Sequence, residues 1–143
     1  MAAVYEQRGF IMDREKVIEV AVNWWADKIG NKYRHSNGDN SPASVMACLM
    51  ADMSHKKPTP EQIDTFKSEL KKRIEEEYAK IENREYGRIW LSCDYAPCKT
   101  LYEAAIIAGV NELNFPFKTN MCITKGEVTV SDGYCMPYVK IGE

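Results

Sequence analysis

NMCITKGEVTVSDGYCMPYVKI, residues 120–141, alternates apolar and polar side chains in two runs joined by Lys125-Gly126, turns again at Asp132-Gly133, and ends in a third extended run. Alternation with a period of two marks a strand with one buried face, and a short glycine-containing step between two such runs is a hairpin turn. This third of the chain therefore reads as a small, mainly antiparallel sheet. Immediately upstream, RIWLSCDY (88–95) has the β-branched, aromatic and alternating character of another strand. CKTLYEAAIIAGV (98–110) reads as a helix that starts just past Pro97 and stops at Gly109.

The first half has a different period. DREKVIEVAVNWWADKIG (13–30) has Asp13 as a plausible N-cap, Glu15 in the positive first turn and Gly30 at its end. Val17, Ile18, Ala21, Val22, Trp25 and Ile29 recur at three- and four-residue steps, so this stripe is expected in the core. Trp24 is turned about 100° from Trp25 by the helical repeat, which sends one of the two indoles to the edge of the core. Ser41-Pro42 opens a second helix with Val45, Met46, Leu49, Met50 and Met53 as its apolar stripe. Thr59-Pro60, with Gln62 completing a capping box, opens a longer third helix with core positions Ile63, Phe66, Leu70, Ile74, Tyr78 and Ile81. The charges between them read as a solvated face. The fold class expected is α+β: N-terminal helices packed on a small antiparallel C-terminal sheet, as one domain over residues 1–143.

Composition narrows the function classes. The chain has 143 residues, 45% hydrophobic and 28% charged, with 19 basic and 21 acidic residues dispersed along it. That balance lacks the electrostatic footprint of a duplex-binding protein. No apolar run reaches the roughly 20 residues of a membrane span, and MAAVYEQRGF lacks the basic-then-apolar order of a signal peptide, so a cytoplasmic location is expected. Five cysteines, Cys48, Cys93, Cys98, Cys122 and Cys135, are an odd number without a secretory signal and read as reduced thiols. Their spacing suits buried small hydrophobes better than a zinc site. Nucleophile-elbow, P-loop, dinucleotide and H-E-x-x-H patterns are absent, and with two histidines a binding protein is favoured over an enzyme; no metal or cofactor is expected.

Three loops could face a ligand. RHSNGDNSPAS (34–44) offers Arg34 and His35 as positive charge, Asn37, Asp39, Asn40 and Ser41 as polar groups, and the free N–H groups of a helix start. The same residues could simply cap and turn, and Asp39 would repel a phosphate. CDYAPCKT (93–100) leads from a strand into a helix and offers Asp94, Tyr95 and Lys99, with Cys98 near the positive end of the helix dipole. A thiol nucleophile would need a base, and His35 and His55 lie far away in sequence, so Cys98 reads as structural ahead of nucleophilic. NFPFKTN (114–120) places Phe115 and Phe117 around a proline, followed by Lys118 and Asn120; aromatic faces beside a lysine suit a nucleotide, and they also suit core closure. Tyr134 and Tyr138 carry the same two readings.

WWADKI (24–29), NGDNS (37–41), PTPEQID (58–64), LSCDYAPC (91–98) and FPFKTNM (115–121) together resemble a family of small proteins encoded by phages and prophages of Firmicutes and related gut bacteria. The resemblance implies an anti-defence protein acting in the cytoplasm of the bacterial host. The expected mode is sequestration of a nucleotide-derived immune signal, with Arg34, Lys99 and Lys118 toward phosphate and Trp24, Tyr95 and Phe117 toward base. A homo-oligomer would fit so small a protein. The alternative is a protein-binding inhibitor of a CRISPR effector or another host defence enzyme through the charged surface of residues 67–86; a thiol or hydrolytic enzyme using Cys98 or Asp94 ranks last.

Overall fold

The computed structural model describes residues 11–31 and 38–142. The element order is α1 (Arg14–Gly30), α2 (Pro42–Ser54), α3 (Pro60–Glu82), β1 (Ile89–Cys93), α4 (Lys99–Ala108), a 3-10 turn (Glu112–Asn114), β2 (Thr119–Ile123), β3 (Val128–Asp132) and β4 (Val139–Ile141). The fold is α+β, with helices first and a four-stranded antiparallel sheet of order β1-β2-β3-β4 last.

The helix boundaries follow from capping chemistry. Asp13 accepts from the Lys16 N–H at the start of α1, and Ser41 accepts from the Ser44 N–H at the start of α2. Thr59 and Gln62 form the reciprocal capping box of α3. Gly109 ends α4 in the left-handed conformation, φ 75°, that a side chain would resist.

Register assigns the sheet's two faces. Ile89, Ile123 and Val128 align across the strands, as do Leu91, Met121 and Val130, and all six are buried beneath the helices. The opposite face carries the rows Trp90, Cys122, Thr129, Lys140 and Ser92, Asn120, Ser131. One continuous core joins the inner face to α1, α3 and α4. At its centre Trp25 and Phe66 both pack against Phe115, with ring centroids 6.0 and 5.8 Å apart. Buried Asn114 donates to the carbonyls of Ile29 and Lys56, tying the 3-10 turn to the ends of α1 and α2. Phe115 and Asn114 thus fix the segment that carries Lys118.

The second helix departs from its expected packing. Val45, Met46, Leu49, Met50 and Met53 all face outward, and Ser44 and Ala51 are buried in their place. Ala47 and Cys48 pack partly against the core on the same small-residue side. Small side chains let a helix lie close to the body, so the larger ones at the opposite angle are left in solvent.

Candidate functional site

The outer sheet face ends in a cleft of about 440 Å³ where β1 and β3 run out. Ser92 and Asp94 from β1 and its turn, Lys118 and Asn120 at the start of β2, and Ser131 and Tyr134 around the end of β3 line it. Period-two pairing explains the convergence: Ser92, Asn120 and Ser131 share one register row on the same face.

Lys118 is the hub. Its Nζ lies 2.5 Å from Asp94 Oδ1, 4.6 Å from the Tyr95 ring centroid and 6.0 Å from that of Tyr134. These are one ion pair and two cation–π contacts on a single ammonium. The bond that its ammonium donates to the Asp94 carboxylate holds Lys118 charged above the ordinary lysine range. Its backbone is pinned as well, donating to the Asp94 carbonyl (2.9 Å) and accepting from Gly133 N–H (3.1 Å). Those bonds hold it in the left-handed region at φ 55°, which a non-glycine residue adopts at a cost of about 1–2 kcal/mol.

The loop after α1 reaches the same place. Asp39 accepts from Ser41 N–H at 3.0 Å and from the Tyr95 hydroxyl at 3.4 Å. The Ser41 N–H is the main cause that holds the Asp39 carboxyl below its usual range, and Lys118 contributes. Beneath Tyr95 lies buried Phe117, edge-on at 5.3 Å, so Phe117 backs the aromatic wall and presents no open face. Asp94, Lys118 and Asn120 therefore meet on the cleft lining, and Tyr95 and Asp39 join them from beside it, Tyr95 through the Lys118 ammonium and Asp39 through the Tyr95 hydroxyl.

The other candidates are spread out. Trp24 packs edge-on against Trp25 at 4.9 Å, with Lys28 Nζ 5.0 Å from its ring centroid and also 3.4 Å from Asp132. It stands on the helical side, outside the cleft lining. Lys99 is exposed at the first position of α4, also off the lining. Asn40 is exposed, and Ser41 is occupied as a helix cap. Arg34, His35 and Asn37 lie outside the described residues.

Sequence reasoning missed Ser92, Ser131 and Trp90 as members of this face, and left Tyr134 and Tyr138 undecided. The half-exposed Trp90 and Tyr138 meet edge-on at 6.2 Å, on the same face as the cleft. The alternation of RIWLSC contained the signal for Trp90 and Ser92; the register that aligns them with Asn120 and Ser131 is a tertiary property.

Thiol chemistry has little support. Burial, reinforced by Cys98, pushes the Cys93 thiol up to about 12, which keeps it protonated at neutral pH. Cys98 is half-buried at the N-cap of α4 and makes no side-chain capping bond.

A second groove, of about 650 Å³, lies between α1 and α3 and is lined by Arg14, Glu15, Glu19, Lys67, Lys71 and Glu75 among others. It is larger, but its walls offer alternating charge and no aromatic ring. The sheet-face cleft has the more selective chemistry for a small ligand. No helix among the described residues is long and apolar enough to cross a membrane. No protein-family model matches the sequence, and a search of curated proteins finds no similar chain.

Proposed function

We propose that this chain is a non-enzymatic binding protein that takes a nucleotide-type molecule on its outer sheet face, with Lys118 meeting phosphate and Tyr134 or Tyr95 meeting base. With the phage-family resemblance, the reading becomes an anti-defence protein that sequesters a nucleotide-derived immune signal in the host cytoplasm. The carrying observation is the convergence of Asp94, Tyr95 and Tyr134 on the held ammonium of Lys118, with Asp39 bonded to the Tyr95 hydroxyl.

Lys118 is 22% exposed and fixed, whereas its partner Asp94 is 69% exposed. An exposed carboxylate can turn into water when a more highly charged phosphate takes its place on the lysine. Asp39 stays beside Tyr95 and disfavours a second phosphate there, so a ligand would approach with base toward the tyrosines and phosphate toward Lys118. Native mass spectrometry of protein from a bacterial lysate, followed by a thermal-shift screen of linear and cyclic nucleotides, tests this. A rise of several degrees with one nucleotide class, abolished by Lys118→Ala, is expected. No bound mass and no shift with any nucleotide would overturn it.

A second reading, a protein-binding inhibitor of a CRISPR effector or other defence enzyme, draws on the charged groove between α1 and α3. Its lining of Arg14, Lys67 and Lys71 with Glu15, Glu19 and Glu75 suits a partner of mixed charge. Pull-down of a defence enzyme that is lost with Lys67→Glu/Lys71→Glu, while nucleotides have no effect, would select this reading.

A further inference from the structure

Among the described residues, the outward face of α2 gathers five exposed large apolar side chains on one short helix. Val45, Leu49 and Met53 form one column at four-residue steps, Met46 and Met50 form the adjacent one, and the five are 47–86% exposed. Across residues 42–54 the only charged residue is Asp52, in a chain that is 28% charged. These side chains present on the order of 500 Å² in one patch, at the top of what a monomer leaves exposed.

We infer that this face is the contact between two copies of the chain, paired α2 against α2 in antiparallel fashion about a twofold axis. A partner must be apolar, about 20 Å long and free of charge along its centre to match a 13-residue helix. A second α2 meets each of these requirements, and a twofold contact uses the same patch on both sides. Electrostatics favours the same occupant. The helix has no acidic residue in its first turn and no basic residue in its last, so its own first and last turns leave the dipole uncompensated. Antiparallel pairing sets each positive N-terminus beside a negative C-terminus. The patch covers over half of the roughly 800 Å² that each partner gives to a standard interface, and polar residues flanking the helix supply the rim.

This assembly is independent of what the cleft binds, but it bears on it. Ser41 caps α2, and Asp39, two residues earlier, bonds to Tyr95. The interface helix therefore starts at the edge of the candidate site.

Sedimentation of the full chain at tens of micromolar is the test. The expected species has twice the 16.4 kDa chain mass. Met46→Glu/Met50→Glu should raise the dissociation constant at least about a hundredfold and give a monomer, because like charges would face each other across the axis. Met46→Lys/Met50→Lys should do the same. An equal mixture of the two variants should recover a dimer, since position 46 of one copy faces position 50 of the other. Far-UV circular dichroism should be unchanged in both, as the substituted positions are exposed. A monomeric parent chain, a Glu variant that keeps the dimer mass, a mixture that stays monomeric, or loss of helix in either variant would each overturn the inference.

Discussion

Helices α1 and α2 look alike as sequence, each opened by a good cap and each carrying an apolar stripe at helical spacing, yet the chain uses them in opposite ways. In α1 the large residues, Val17, Ile18, Val22, Trp25 and Ile29, are buried. In α2 the large residues are exposed and Ser44 and Ala51 are buried. Periodicity identifies an apolar face; it does not say whether the covering comes from the same chain.

The largest expected effect lies on the α1 side. Trp25→Ala should cost about 3–5 kcal/mol, because Trp25 is fully buried and its loss empties the node shared with Phe115. Chemical denaturation measures this; a loss below about 1 kcal/mol would mean that α1 is not the anchored helix. Next comes the small face of α2. Ala51→Leu should destabilise by about 1–3 kcal/mol through overpacking, since Ala51 is fully buried. If it were neutral, α2 would not lie against the body through this face.

Met50→Ala should change stability by less than about 0.5 kcal/mol at dilutions where chains are separate, the usual range for an exposed substitution. A larger loss under those conditions would erase the contrast between the helices. The smallest effect belongs to the loop between them. Asp39 has its carboxyl pKa depressed in the folded chain, so its contribution is present above the unfolded carboxylate value of about 3.9 and is lost as pH falls through the folded value. Lys118 is shifted upward, so its contribution holds below the unfolded lysine value of about 10.4 and is lost at higher pH. Thermal unfolding should therefore show no pH dependence from this cluster between about 5 and 9. Asp39→Asn should flatten part of the acid limb only, and a change near neutrality would contradict the assignment.

Much of the fold was legible because it is locally encoded. Asp13, Thr59-Pro60 and Gly109 mark helix ends through chemistry confined to a few residues, and Lys125-Gly126 marks the hairpin in the same way. The candidate site was legible only as separate loops. Asp39 and Tyr95 are 56 residues apart, and their hydrogen bond depends on how α1 and the sheet pack. Nothing in FPFKTN signals that Lys118 adopts a left-handed backbone, because its bonds to the Asp94 carbonyl and from the Gly133 N–H impose it. Lys99 and Trp24 were attractive as residue types, but the helical surface carries them off the cleft.

The twisted backbone at Lys118 ranks the replacements that this position would accept once its ammonium is gone. Glycine would adopt the same φ without strain, so Lys118→Gly should be more stable than Lys118→Ala by about 1 kcal/mol, and both lack the ammonium. In a library barred from lysine at codon 118 and propagated for heat resistance, glycine should therefore outcompete alanine there; in one propagated for ligand capture with lysine allowed, lysine should be kept.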